Sequence, residues 1–355
     1  MIKVGLIGAG KRFKNYNFPV LKEFSEKIEV CGIATKSGKL KDEDLNTFYD
    51  VPVFDTVSEL IKCEPDLLWI SVPLDASLPV LMHCLKTKIP TIIETPISFN
   101  LENLIMLENY IRVHDLKLGV IEQWPYLPLE CFKREVIESG ALGKVCVVEN
   151  DYRTYDYHGI AQLRRYLSTD SPLNSIQVTQ SGYIVGEHYN TSGEVGETTD
   201  HWRIITAKYL NGQMLINKYS SIYKKTLFRI ANGLRIYGTH GTIMAGCLIG
   251  SLLSGEKDFK FSMLDSGGSK ASHDLSLRSE TESLDGVKVV RNISIEVPGG
   301  PTIRWANPYT LGEHQTGIAF HLERMIKVME GKENSPLYTI SDIIKDFKIM
   351  YGIKF

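Results

Sequence analysis

Two places near the start of the chain combine residue types that could hold a dinucleotide. Ile2-Lys3-Val4-Gly5-Leu6-Ile7 reads as an apolar strand running straight into Gly8-Ala9-Gly10. In a strand-turn-helix unit the first glycine permits the tight turn and the second lets the backbone approach a pyrophosphate, so Gly8 and Gly10 are candidate cofactor contacts. Lys11 and Arg12 follow as cations that could reach phosphate oxygens. The third glycine of G-x-G-x-x-G is replaced by Phe13, whose ring predicts a displaced or later-starting helix. Pro19 fits the same picture, since proline is tolerated in a helix only in the first turn or at a kink. Further on, the second apolar strand ends Ala34-Thr35-Lys36-Ser37, with no carboxylate before Asp42. Hydroxyls and an ammonium at Thr35, Lys36 and Ser37 suit a ribose 2′-phosphate, which favours NADP(H) over NAD(H) as the cofactor, with NAD still possible. Each pattern has a plainer reading: a glycine-rich turn with no ligand, and a solvated loop that contains lysine.

The elements that must position such residues divide the chain into two parts. At 355 residues it has the length of two ordinary domains, each with its own core. Forty Lys and Arg against 42 Asp and Glu leave a net charge of -2, which gives no footprint for nucleic acid and makes small molecules the expected partners. The six cysteines, Cys31, Cys63, Cys84, Cys131, Cys146 and Cys247, form no C-x-x-C pair and have no histidine at ligand spacing. Neither a structural zinc nor a disulfide framework is expected, no metal site is assigned, and a reduced cytoplasmic protein fits. The sequence starts on a core strand rather than a secretory leader and carries no apolar run of membrane-spanning length. The sequons at Asn190 and Asn292 therefore read as chance matches.

Strands and helices alternate through the first 122 residues, the pattern of a parallel sheet. A mixed helical stretch to about Glu26 precedes the strand Ile28 to Ala34; helix is expected over Asp44 to Tyr49, Val57 to Lys62, Leu78 to Thr87 and Leu101 to Val113. Strands are expected at Val53-Phe54, Leu67 to Val72, Thr91 to Glu94 and Lys117 to Glu122. After that, Leu129 to Ser139 is an amphipathic helix and longer strands dominate: Val145 to Asp151, His201 to Leu210, Gln213 to Tyr219 and Leu227 to Tyr237. Ser254 to Glu282, rich in Ser, Gly, Asp and Lys, reads as an exposed excursion, and Thr316 to Glu330 and Ser341 to Tyr351 as helices. The expected division is a Rossmann domain over 1–122 and a substrate-binding and oligomerisation α/β domain over 123–355, built on a large open, mostly antiparallel sheet.

Several segments, in order, resemble the Gfo/Idh/MocA family of dinucleotide-dependent oxidoreductases. Phe18-Pro19-Val20-Leu21 looks like the family's helix after the glycine turn. Ser71-Val72-Pro73-Leu74-Asp75 looks like its nicotinamide-side loop, with Ser77 where a histidine is common. Lys88 to Pro96 is similar to the family's strand ending in Glu-Lys-Pro; Ile137 to Val145 and Ile236 to Thr242 resemble two signatures of the second domain. The resemblance implies an N-terminal Rossmann domain, a C-terminal α/β domain, a substrate cleft, and a homodimer or homotetramer formed through the C-terminal sheet. It also implies cofactor contacts from Ser71, Val72, Pro73, Leu74, Ser77, Glu94, Thr95, Glu122 and Trp124, besides those of the glycine turn at Gly8, Gly10, Lys11, Arg12 and Phe13.

The same resemblance marks departures in the chemistry. Hydride transfer needs a group that supplies or removes a proton, in the family typically the lysine of Glu-Lys-Pro aided by Asp and His of an Asp-x-x-x-His pattern. Here Thr95 stands at the lysine position, and a threonine hydroxyl does not titrate in the working range. Thr154 falls where the Asp would be, while His158 matches the histidine and Asp156 lies two residues before it. His158, with a side-chain pKa near neutrality, is the titrating candidate, and Tyr126, Tyr155 and Tyr157 are candidate hydroxyl donors; alternatively His158 only caps its helix. Trp124 would pack on the cofactor ring or belong to core. The expectation is an NADP(H)-dependent oxidoreductase, a reductase acting on a carbonyl or imine carbon of a small polar substrate. The alternatives are a non-catalytic cofactor-binding sensor or assembly protein, a sugar dehydrogenase of the same family, and a hydrolase that cycles bound NAD. Substrate specificity is expected in second-domain loops, above all Thr169 to Thr199.

Overall fold

The computed structural model describes residues 1–40, 51–151, 155–167, 170–189, 195–222, 232–247, 259–264, 272–297 and 300–354. The expected helix over Asp44 to Tyr49, the residues of the Leu227 to Tyr237 strand before Asn232, and Thr154 lie outside them.

The first sheet has six parallel strands: β1 (Ile2–Ile7), β2 (Ile28–Ala34), β3 (Val53–Phe54), β4 (Leu67–Ile70), β5 (Thr91–Glu94) and β6 (Leu118–Ile121), in the order β3-β2-β1-β4-β5-β6. This is the doubly wound arrangement, in which the strand order reverses between β1 and β4 and opens a crevice at the carboxyl ends of those strands. β4, β5 and β6 are buried along their whole length, as expected of parallel strands covered on both faces. The helices α1 (Phe18–Glu23), α2 (Val57–Ile61), α3 (Leu74–Leu85) and α4 (Leu101–Val113) connect them. The Asn100 side chain accepts from the backbone N–H of Glu102 and Asn103 and so starts α4; the Thr56 hydroxyl starts α2 in the same way. α3 begins four residues before the expected Leu78, directly after Pro73, and contains Pro79.

Phe13 corrects one expectation. The helix after the glycine turn is not delayed: helical backbone begins at Lys11, and the first turn widens into a π-helix over Phe13–Asn17 in which the Phe18 N–H reaches the Phe13 carbonyl. The wider turn seats the phenyl ring, 1% exposed, among Val4, Leu6, Val20, Leu21 and Ile318 of the core. A third glycine would have left that volume empty.

By packing, the chain divides into a first unit, Met1–Tyr126 with Leu284–Val289 and Tyr309–Ile344, and a second unit, Leu127–Ser283 with Val290–Pro308 and Lys345–Phe355. This division differs from the sequence boundary at 122/123 chiefly in Tyr309–Ile344. That segment contains α7 (Glu313–Met329), whose Ile318, Leu322 and Met325 join the core of the first sheet. Gly317 permits the approach, since a Cβ there would lie 2.7 Å from the Gln123 carbonyl oxygen.

The second unit is built on an eight-stranded sheet. Its strands are β7 (Val145–Asp151), β8 (Leu173–Tyr189), β9 (Val195–Tyr209), β10 (Met214–Ser220), β11 (Asn232–Gly238), β12 (Gly241–Cys247), β13 (Phe259–Leu264) and β14 (Ser272–Leu275). The order is β14-β13-β12-β11-β7-β10-β9-β8, antiparallel except for the parallel pair β7/β10. The helix α5 (Pro128–Glu138) precedes β7, and α6 (Asp156–Leu167) packs on β7 and β10. At Gly159 a Cβ would meet Asn217 Oδ1 at 2.5 Å and Asn150 Nδ2 at 2.6 Å, so glycine lets α6 press onto the sheet. A smaller antiparallel sheet joins β15 (Arg278–Leu284), β16 (Val287–Glu296) and β17 (Thr302–Ala306), and α8 (Ile340–Tyr351) ends the fold.

Two loop expectations are corrected here. Leu173–Tyr189 is a 17-residue strand paired with β9, not a loop, and the described part of Ser254 to Glu282 holds β13, β14 and most of β15. Both lie at or near sheet edges and are rich in polar residue types, so their composition reads as loop although their backbones pair as strands.

Candidate functional site

The glycine turn lies where β1 ends beside β2 and β4. The Gly8 N–H donates to the Ala34 carbonyl and the Ser71 N–H to the Ile7 carbonyl, tying the ends of all three strands together. Gly8 has φ +91°, and a Cβ there would lie 2.1 Å from the Ser71 carbonyl oxygen, so no other residue fits. Gly10 is different: a Cβ would find nothing within 4 Å. No internal packing requires glycine at that position, and the open, exposed space above its backbone is what the approach of a pyrophosphate needs. Lys11 is exposed beside it.

At the crevice floor, Arg12 donates from Nε (3.1 Å) and Nη2 (2.6 Å) to Glu94 Oε2 at the end of β5. Burial pushes the Glu94 carboxyl above its ordinary pKa and the Arg12 charge pulls it back down. The Asn17 amide beside Glu94 also lowers its pKa, yet Glu94 Oε1 and both polar atoms of that amide are buried without a well-formed hydrogen bond among the described residues. An under-satisfied carboxylate oxygen next to the glycine turn is an acceptor for a ribose hydroxyl, so the residues present fit a dinucleotide. Arg12 also lies over the Tyr16 ring at 5.2 Å; Tyr16 and Trp124 each meet the His314 ring edge-on, at 5.6 and 5.1 Å.

Thr95 follows Glu94 and precedes the cis Thr95-Pro96 bond. Its hydroxyl donates to the Ile121 carbonyl at 3.2 Å and lies 3.3 Å from Glu122 Oε2; Glu122, 1% exposed, accepts from the Trp124 N–H. Tyr126 donates its hydroxyl to the Leu337 carbonyl, with its ring against His321, which in turn bonds the Glu122 carbonyl. Ser71, Val72 and Pro73 form the turn after β4, Val72 facing Gly8; Leu74 is exposed at the start of α3 and Ser77 is buried inside it. After β2, the Thr35 hydroxyl and Ser37 hydroxyl both bond the Lys39 carbonyl, leaving Lys36 exposed on a tight turn at Gly38. Asp55, after β3, packs against Gly38, a carboxylate that the sequence order hides.

Asp156 and His158 lie in the second unit, at the start of α6. Asp156 Oδ1 accepts from Asn217 Nδ2 at 2.9 Å and Oδ2 from Arg203 Nη1 at 2.7 Å, while Asn150 donates to Asn217 at 2.8 Å. Burial lifts the Asp156 carboxyl to about 6 despite Arg203. His158 is buried against the rings of Tyr157, at 4.1 Å, and Tyr155, at 6.2 Å. Asn150, Asn217 and Arg203 had no motif to betray them; only the strand register joins them to Asp156. Among the described residues, no group of three His, Cys, Asp or Glu is arranged to hold a metal.

Residues 2–121 match the family model of Gfo/Idh/MocA oxidoreductases, an oxidoreductase family with an NAD-binding Rossmann fold. Through residues 2–121 the chain is similar to this family, and its second unit lies outside the match. The chain is an NAD(P)-dependent oxidoreductase. An uncharacterised protein of Saccharomyces cerevisiae, YMR315W, is 24% identical over 266 residues, covering 68% of this chain and 73% of that protein. Among solved structures, a dehydrogenase from Chromobacterium violaceum has a TM-score of 0.66 at 13% identity, covering 99% of this chain and 94% of that one. The UDP-N-acetylglucosamine 3-dehydrogenase GnnA from Acidithiobacillus ferrooxidans has a TM-score of 0.63 at 11% identity, with 99% and 96% covered. At these identities the likeness is one of fold. No described helix of this chain is long and apolar enough to cross a membrane.

Proposed function

We propose that this protein is an NADP(H)-dependent reductase that delivers hydride to an electron-poor carbonyl or imine carbon of a small polar substrate. The observation that carries this reading is Thr95: where the family's lysine would offer an ammonium, a hydroxyl is spent on the Ile121 carbonyl. A positively charged C=N accepts hydride with less proton donation than a ketone, so an imine suits a site without that lysine. When bound, the dinucleotide supplies the hydride.

The residues of the chain have separate tasks in this reading. Gly8, Gly10 and Lys11 hold the pyrophosphate, Glu94 Oε1 takes a nicotinamide-ribose hydroxyl, and Lys36 meets the 2′-phosphate from a turn that the Thr35 and Ser37 hydroxyls shape through the Lys39 carbonyl. Ser71, Val72, Pro73 and Leu74 border the nicotinamide, with Glu122 holding the backbone before Trp124. His158 moves the proton. Asp156, whose two oxygens accept from Asn217 and Arg203, positions that end of α6. The eight-stranded sheet is the surface through which copies would associate, and the free thiols of Cys31, Cys63, Cys84, Cys131 and Cys146 support a reducing, cytoplasmic setting.

The test is NADPH oxidation followed at the nicotinamide absorbance with cyclic imines, keto acids and sugars. Turnover with an imine or a carbonyl acid, lowered by His158→Ala, is expected; oxidation of sugars with NADP⁺ as the sole activity contradicts the reading. The second reading, a cofactor-binding protein without catalysis, is favoured by Thr95 as well. It predicts NADPH binding with no turnover across the whole panel.

A further inference from the structure

The second unit contains a cavity of about 270 Å³ in the sheet region formed by β8, β9 and β10. Strand register explains its walls. Gln180 pairs with Arg203 and Gly182 with His201 across β8/β9, and Tyr219 pairs with Arg203 across β10/β9, so these positions share one face of the sheet. Gly182 leaves that face bare between them.

Several polar groups on this face are uncommitted. Arg203 gives one N–H of Nη1 to Asp156 Oδ2, and its other N–H groups have no partner among the described residues, although the side chain is only 29% exposed. The His201 ring and the Gln180 amide, on exposed residues, also have no partner among the described residues, so three side chains with N–H donors line this depression. The charges around it limit what those donors can hold. Asp156 already offsets Arg203. A doubly charged phosphate would bring more negative charge than this one guanidinium, already paired, can balance. A single planar carboxylate needs only the remaining edge of the guanidinium, whose paired N–H groups match its two oxygens.

We propose that this cavity binds the carboxylate of a small organic acid, held by Arg203 with His201 and Gln180 completing its hydrogen bonds. Its volume lies slightly below the roughly 300 Å³ at which ligand pockets usually begin, which suits a molecule of a few carbons and not a dinucleotide. Tyr219 gives the apolar part of the acid a surface to lie against. The proposal goes beyond the reductase reading and does not depend on it, because the site lies within the second unit and its occupancy can be measured without a nucleotide.

The experiment is a ligand-observed NMR titration of the full chain, without cofactor and at constant ionic strength. The probes are acetate, lactate and phenylacetate, each beside its uncharged amide, and inorganic phosphate. At least one acid is expected to bind in roughly the millimolar range, and its amide and phosphate about tenfold more weakly. Arg203→Gln should weaken the acid by about tenfold or more. Because losing Arg203 could disturb Asp156, Gly182→Val is the second variant: it keeps every donor, meets only ordinary contacts at its Cβ and fills the cavity, and it should abolish binding. Saturable binding of none of the acids, equal affinity for acid and amide, tighter binding of phosphate, or binding unchanged in Gly182→Val would each overturn the proposal. NADPH affinity measured on the same sample reports separately on the cofactor site.

Discussion

Arg12 and Glu94 are the pair on which the floor of the cofactor crevice rests. Glu94 is 6% exposed, so removing its cation leaves a buried carboxylate with only the Asn17 amide beside it. Arg12→Leu should cost about 2 kcal/mol in urea unfolding, less than a fully buried pair because Arg12 is 40% exposed; an unchanged midpoint would contradict the pairing. Asp156 makes a prediction with a sign. Its carboxyl is raised from 3.8 to about 6 by burial, so the folded state holds the proton more tightly than the unfolded chain. The resulting contribution to stability is complete below 3.8 and is lost as pH rises through about 6. Relative to Asp156→Asn, the wild type should therefore lose about 2–3 kcal/mol over that interval. A wild type that gains on Asp156→Asn with rising pH would refute the shift. Glu94 was legible in sequence because it closes an apolar strand before Pro96, but its cation was not: 82 positions separate them, and Arg12 read as a phosphate contact.

Helices and strands with strong periodicity stand where the sequence places them. Leu101–Val113, Thr91–Glu94 and Val145–Asp151 coincide with their expected spans because each has an unambiguous apolar pattern with a clear stop. β8 and β13 to β15 were hidden by polar composition, and the π-turn by the rule that a missing glycine displaces a helix. Close approaches between elements are equally silent in sequence, since a glycine inside a helix does not announce its neighbour. Gly317 is the case to test. Alanine is intrinsically the better helix former by about 1 kcal/mol, yet its Cβ would lie 2.7 Å from the Gln123 carbonyl oxygen. Gly317→Ala should destabilise by about 1–3 kcal/mol in thermal or urea unfolding; a stabilised variant would show that α7 sits farther from Gln123.

The doubly wound order of the first sheet and the open sheet of the second were readable from the change in alternation near residue 122. The return of Tyr309–Ile344 to the first unit was not, because helical periodicity says which face is apolar and nothing about what covers it. The first unit nonetheless carries the proposed NADP(H) site, since Gly8, Gly10, Glu94 and the Thr35-Lys36-Ser37 turn are all within it. Titration of the purified chain with NADPH and with NADH, followed by nicotinamide fluorescence, tests that proposal directly. Saturable binding of NADPH at least about tenfold tighter than NADH is predicted, reduced in a folded Gly10→Val variant whose side chain would occupy the open space above the turn. Tighter binding of NADH, or NADPH affinity unchanged by Gly10→Val, would contradict it.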